Sequence, residues 1–326
     1  MSNHSQVMQS FYTMKTHQDF RPFSGRLKFT RIDDSATGFQ ILKGIFSLIE
    51  RMNKTDLSKI RLLIVCLATV LMLAGCTSFA YNRLDWLIPW YVNGYVDLTG
   101  EQRKLLRKKL TSPLDWHREE ELANYINLLN NIETELGGEV TAATVRRWAD
   151  EIFDAAVRVQ RSLLVVALEF GAQVSDKQIE EFIGSLWERQ EEMEEEFSAR
   201  SDAEYTDDDY DSLVETLERF LGRLNKEQKA ILRDASNKLV RFDKAWLEEG
   251  RAWLKKMETL LQREAGWQEA ILQAYDARTS LRSAEYKAAF EHNMGLVTQA
   301  YAEVIGTMSE KQRKKARDEF DDLRRL

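Results

Sequence analysis

The sequence predicts an all-α protein, a bundle of about seven to nine helices arranged as one body or as two packed subdomains. Apolar residues recur at helical spacing in nearly every segment after residue 99. Pro113 is the only proline between residues 99 and 326, so little interrupts helix. No segment alternates apolar and polar residues over a length that would make a half-buried strand.

The helices can be taken in order. Ser112-Pro113 places proline at a first helical position, where its missing N–H costs nothing. Leu114, His117, Leu122, Ile126, Leu129 and Ile132 follow at helical spacing up to Gly137-Gly138. Val145, Trp148, Ile152, Ala155, Val159, Leu163 and Val166 mark the next helix. A third carries Ile179, Ile183, Leu186, Met193 and Phe197, with glutamates on its other face. A polar stretch near 200–206 is a candidate internal boundary, followed by Leu213, Leu217, Phe220 and Leu221. One long run then passes through Ile231, Leu239, Phe242, Trp246, Trp253, Met257 and Leu260. The last helices carry Ile271, Tyr275, Tyr286, Phe290, Val297, Tyr301 and Val304, then Phe320 and Leu323.

Ahead of this body lies an export signal. Lys54, Lys59 and Arg61 precede the uncharged apolar run Leu62 to Gly75. That run suits the h-region of a signal peptide and is shorter than the ~20 residues of a membrane-spanning helix. It ends in Leu73-Ala74-Gly75-Cys76, which resembles the lipobox of bacterial lipoproteins. The resemblance implies cleavage between Gly75 and Cys76 and covalent lipid on Cys76, and no other cofactor is expected. Met52 to Arg61 reads as a complete n-region, so residues 1–51 read as an upstream extension or a misplaced start, and 52–75 as the signal.

Removing residues 1–75 takes away ten basic and five acidic residues. That leaves 36 basic against 48 acidic residues, which moves the net charge from −7 to −12. This balance argues against nucleic acid, and against an anionic membrane surface, as the main partner. Cys66 leaves with the signal and Cys76 is spent on lipid, so stability must come from packing alone.

Residues 76–97 form a tether with the aromatics Tyr81, Trp86, Trp90, Tyr91 and Tyr95. Such rings belong at the wet edge of a bilayer, or fold back to fill a groove on their own domain, which is the commoner outcome. Pro89 and Gly94 argue against a long helix here. Residues 98–326 are the helical domain.

One pattern recurs at helix starts: Leu98-Thr99-x-x-Gln102, Val174-Ser175-x-x-Gln178, Leu224-Asn225-x-x-Gln228 and Met308-Ser309-x-x-Gln312. This is the form of a capping box preceded by an apolar residue. The copies stand 76, 50 and 84 residues apart, too irregular for a solenoid. The pattern also resembles the Leu-Thr-x-x-Gln signature of Spy and CpxP type periplasmic helical proteins, which implies a chaperone-like or stress-sensing role. As a whole, residues 76–326 resemble a family of Gram-negative lipoproteins without assigned function, through the lipobox, the segment Tyr81-Asn-Arg-Leu-Asp-Trp-Leu-Ile-Pro-Trp-Tyr-Val92 and the Leu-Thr-x-Glu-Gln after it. Thr77 stands where inner-membrane retention would want Asp, which by analogy with lipoprotein sorting implies the outer membrane and a periplasmic body.

Catalytic chemistry is sparse. His117 and Glu121 are one helical turn apart and could share a metal, though an i,i+4 surface pair is the ordinary reading. His292 beside Glu291 offers less. Asp207, Asp209, Asp211 and Glu218 fall in the register of a calcium loop, but Ser212 stands where the sharp turn wants Gly. The run Glu188, Glu191, Glu192, Glu194, Glu195 and Glu196 reads as a solvated helix face. No nucleophile elbow, phosphate loop or cysteine nucleophile is present. The expectation is therefore a lipid-anchored binding protein rather than an enzyme: an adaptor for an envelope protein, or alternatively a holder of unfolded envelope proteins. Its oligomeric state is open.

Overall fold

The structure is a computed structural model that describes residues 81–325. The lipobox, Gly75, Cys76 and everything expected of residues 1–75 lie outside the described residues. Among the described residues the chain forms eleven α-helices, one π-helical turn and no strand. The helices are α1 (Leu84–Val92), α2 (Gly100–Trp116), α3 (Leu122–Glu135), α4 (Ala142–Gly171), α5 (Asp176–Ala199) and α6 (Asp202–Leu221). They continue with α7 (Lys226–Ser236), α8 (Asp243–Leu260), α9 (Trp267–Ala277), α10 (Ala284–Gly306) and α11 (Glu310–Arg324). The π turn, His117–Glu121, joins α2 to α3. The protein is thus an all-α multi-helix bundle.

Its organising element is α4, whose 30 residues span about 45 Å at 1.5 Å per residue. Its first turns bury Val145 and Trp148 in a core shared with Ile132 of α3, Leu213 and Leu217 of α6, Leu232 of α7, Val304 of α10 and Phe320 of α11. Its middle buries Phe153 against Phe242, Tyr286, Phe290 and Met294. Its last turns bury Val166 and Phe170 against Val96, Leu98, Leu106, Leu110 and Leu114. A helix that meets three cores along its length needs apolar residues on a continuous stripe, and α4 supplies them at positions 145, 148, 153, 155, 166 and 170. The strongest packing partner of α4 is α10, while α8 lies along α5 and α11 along α6. Helices before and after residues 200–206 therefore share one core.

Two local readings need correction. Pro113 is not at a helix start: α2 begins at Gly100 and carries Pro113 inside, in its last turn. The stronger start signal was Thr99-x-x-Gln102, and the ladder is disturbed only just beyond the proline, where the π turn begins. The run from Ile231 to Leu260 is also not continuous. It breaks between α7 and α8, where Asn293 of α10, fully buried, pairs with the backbone of Val240. Val240 N–H donates to Asn293 Oδ1 at 2.8 Å, and Asn293 Nδ2 donates to Val240 O at 2.7 Å. A side-chain amide so placed satisfies the extended segment as a neighbouring strand would.

Close helix approach has its own marks. A Cβ on Gly250 of α8 would stand 3.0 Å from Gln190 Oε1, and Gln190 Nε2 donates to Leu247 O at 3.1 Å. A side chain at residue 250 would require the buried Gln190 amide to give by a few tenths of an ångström.

The central core fixes one quantitative expectation. Phe290 is 1 % exposed, so Phe290→Ala should cost about 3–5 kcal/mol in urea unfolding. Ile152→Ala, at a residue 53 % exposed, should cost well under about 1 kcal/mol. Equal costs at the two sites would mean that α10 is not seated as described.

Candidate functional site

The four recurring boxes all sit at helix starts, and the structure brings them together in two pairs. In each box the cap oxygen of Thr99, Ser175, Asn225 or Ser309 accepts from the N–H three residues on. Each Gln Oε1 in turn accepts from the N–H of its own cap residue. The glutamines then join across helices. Gln102 Nε2 donates to Gln178 Oε1 at 2.9 Å, and Gln178 Nε2 donates to Gln102 Oε1 at 2.8 Å. Gln228 and Gln312 do the same at 3.2 and 2.9 Å.

The remaining N–H of each amide reaches the carbonyl two residues before its partner's cap. Gln178 donates to Asp97 O, Gln102 to Gln173 O, Gln312 to Arg223 O and Gln228 to Thr307 O. Every glutamine amide therefore uses both N–H donors and accepts at least two bonds at Oε1, the full capacity of the group. The apolar residues before the caps enter the adjoining cores: Leu224 and Met308 at one end of α4, Leu98 and Val174 at the other. Gln228 and Gln312 are buried, with exposures of 0 % and 7 %.

This geometry explains why the third residue after the cap is Gln in all four boxes. A carboxylate would cap as well, but it has no N–H to give, and two carboxylates face to face would repel. Two further boxes, Thr141–Thr144 and Ser201–Glu204, start α4 and α6. They pair with no other box among the bonds described, and they carry Thr and Glu at that position.

The other candidates are absorbed into packing. Glu121 lies in the π turn with 1 % exposure. Arg158 of α4 grips it through Nε at 3.1 and 3.0 Å and through Nη2 at 2.6 Å. Its carboxylate is thus buried against Arg158, where the spacing to His117 had suggested a pair on the helix surface. The His117 ring lies against Tyr125, with Nε2 3.3 Å from the hydroxyl. Burial holds its pKa below the ordinary 6.5, against the pull of Glu121. His292 Nε2 is 3.3 Å from Lys238 O, and Glu291 takes both terminal nitrogens of Arg146 at 3.1 Å.

The calcium-loop register is corrected by the fold, because Asp207, Asp209, Asp211 and Glu218 lie within the unbroken helix α6. Asp207 pairs with Arg233 at 2.6 Å, Asp209 is buried, and Glu218 pairs with Lys229 at 2.9 Å. Among the described residues no three His, Cys, Asp or Glu converge to hold a metal ion. In the glutamate run, Glu194 is half-buried and bound by Arg251, and its pKa is held below the usual range by that hydrogen bond and by Gln190. The rest of the run is exposed.

Arginine ties were not foreseen. Arg241 donates to Phe197 O and Arg200 O at the end of α5, and to Asp202 and Asp243 at the starts of α6 and α8. The bonds to Asp243 first, and then to Asp202, raise its pKa. Arg263 donates to Gly171 O and Val174 O and pairs with Asp176. No spacing rule links residue 241 to residue 197, so nothing local announces such contacts. The Gln pairs did leave a trace: the same amide residue in four boxes where glutamate would cap equally well.

Two outcomes are expected. Gln312→Glu, which keeps the cap but removes a buried donor, should cost about 2–4 kcal/mol at neutral pH. Glu204→Gln, in an unpaired box, should stay within about 0.5 kcal/mol. Burial raises the introduced carboxyl's pKa in the folded state, so the Gln312→Glu deficit should shrink as pH falls, when a protonated Glu can donate again. A pH-independent deficit equal to that of Glu204→Gln would refute the paired arrangement. For His117, the folded chain binds the proton less tightly than the unfolded one. Its contribution is therefore complete above about 6.5 and is lost as pH falls through the window below that value. Thermal melts at stepped pH should show this slope in the native chain and a flatter one in His117→Gln. Glu194 loses its contribution only at lower pH, below its ordinary 4.5.

Comparison with curated proteins and with solved structures returns no match. The profile of a family of unknown function (DUF6279) matches residues 94–287, a span that contains both boxes of the first pair and one of the second. That span is more than half of the chain, and the protein belongs to this family of unknown function, DUF6279.

Proposed function

We propose that this chain is an outer-membrane lipoprotein, anchored through lipid on Cys76, whose helical body faces the periplasm and serves as an adaptor or structural subunit for another envelope protein. The observation that carries this reading is Leu73-Ala74-Gly75-Cys76 at the end of an h-region, with Thr77 after it and a short tether before a long helical body. The glutamine pairs and the Arg241 and Arg263 ties hold helix ends together, which gives such a subunit a rigid scaffold. No reaction is proposed. Among the described residues no helix is long and apolar enough to cross a membrane, so in this reading the lipid is the means of attachment.

A second reading, a holder of unfolded envelope proteins, draws on exposed aliphatic residues: Ile126, Ile152, Val165 and Leu281. Scattered singly, such residues are ordinary on a soluble surface, so the adaptor reading is preferred.

Labelled palmitate should enter the native protein and not Cys76→Ser, and the native protein should fractionate with outer membranes. Crosslinking in intact envelopes should then capture one dominant partner at fixed sites. A broad set of unfolded proteins, growing under envelope stress, would favour the holder. Absence of label on the native chain would remove the anchor altogether.

A further inference from the structure

The first helix of the body has two apolar faces. Leu84, Ile88 and Val92 pack on the core at the end of α4. Trp86 and Trp90, one turn apart on the opposite side, point outward with 48 % and 57 % exposure. Their rings stack, 6.4 Å between centroids and 11° between planes. The tether therefore both fills a groove and presents aromatic rings, with Tyr95 half-buried and Tyr91 exposed at 43 %. Tyr91 and Tyr95 hydroxyls meet at 2.9 Å, and Tyr95 meets Phe182 of α5 edge-on at 6.4 Å. Burial, with the Tyr91 hydrogen bond behind it, pushes Tyr95 up to about 12.

Two stacked indoles in water on a nine-residue helix are a costly way to end a domain unless something covers them. Two features identify the cover. Only nine residues lie between Cys76 and Trp86, so the backbone of Trp86 stays within roughly 35 Å of that of Cys76 even if every residue is extended. Helix α2, against which α1 packs, departs from the acidity of the rest of the chain. It carries Arg103, Lys104, Arg107, Lys108 and Lys109 against Glu101 and Asp115. Lys104, Arg107 and Lys108 are exposed, on the face turned away from buried Leu106 and Leu110. Lys104 pairs with Glu101 at 2.8 Å, but both are largely solvated, and such a pair is weak.

We propose that the Trp86–Trp90 stack of α1, together with the Lys104, Arg107 and Lys108 stripe of the helix it packs on, docks on the phosphate-bearing headgroup layer of the bilayer that takes the Cys76 lipid. Indole rings favour that interface, with ring buried and N–H wet. Each basic side chain near an anionic surface adds attraction that salt weakens. The net acidity inferred for the exported chain does not oppose this, because screening limits the field of distant carboxylates to about 8–10 Å. The surface sets the body's orientation: α1 and α2 lie toward the membrane. The inference rests on the lipoprotein reading, since without the Cys76 lipid nothing holds these rings near a bilayer.

The test uses the lipidated protein in vesicles of phosphatidylethanolamine and phosphatidylglycerol, with and without brominated acyl chains. Brominated lipid should quench part of the tryptophan emission. The Trp86→Phe/Trp90→Phe variant, which removes two of the eight tryptophans at exposed positions, should lose that quenching while keeping its helical circular dichroism. Lys104→Glu/Lys108→Glu should reduce the quenching, as should raised salt. Protein that floats with the vesicles but is not quenched, or is quenched equally in the tryptophan variant, overturns the docking surface and leaves the lipoprotein reading intact. Protein that does not float at all overturns both.

Discussion

A helix leaves its first N–H groups without partners, and a bundle of short helices multiplies that cost at every start. In this protein the solution is shared rather than local. At four starts a glutamine amide closes its own cap, grasps the glutamine of a second helix and reaches the carbonyl before that helix's cap. The same atoms that end one helix therefore fix its distance from another. The first pair holds α2 to α5 and the second holds α7 to α11, beside the cores at the two ends of α4. In each case the intervening chain returns through a long central helix, α4 or α10, and those two helices pack on each other. The glutamine pairs and the α4–α10 contact are thus parts of one scaffold.

Arginines do at helix ends what the glutamines do at helix starts. Arg241 gathers the end of α5 with the beginnings of α6 and α8, and Arg263 joins the end of α4 to the beginning of α5. Arg313 donates to Leu136 O at the end of α3 at 3.1 Å. Charged donors suit exposed carbonyls at the negative end of a helix dipole. A chain with 30 % charged residues still buries three apolar clusters, because most of its charges stay on the surface while a few arginines tie helix ends together.

What is spent on holding the body together is not free for chemistry. His117 and Glu121 are the first and last residues of a π turn, a feature often met at functional sites, yet the carboxylate is held by Arg158 and the imidazole lies against Tyr125. Among the described residues the exposed surface includes the indoles of α1 and the basic stripe of α2. Both lie at the end of the molecule that follows Cys76 in the chain.

The sequence by itself determined what depends on neighbours three or four residues away. Helical periodicity set the fold class, Gly137-Gly138 marked the end of α3, and the apolar-cap-x-x-Gln pattern marked four helix starts. The capping form was legible because its atoms lie within one turn. Contacts between distant residues were not: that Gln102 meets Gln178, that Asn293 breaks the run between α7 and α8, and that Asp207 to Glu218 sit in a continuous helix. Periodicity cannot distinguish a helix from two helices with a clamped joint, since the apolar stripe persists across Leu239 and Phe242. Trp86 and Trp90 likewise read as aromatic in sequence, and only packing of Leu84, Ile88 and Val92 decided which rings turn outward. Those decisions belong to the tertiary structure because they depend on groups far apart in the sequence, whose meeting no local pattern encodes.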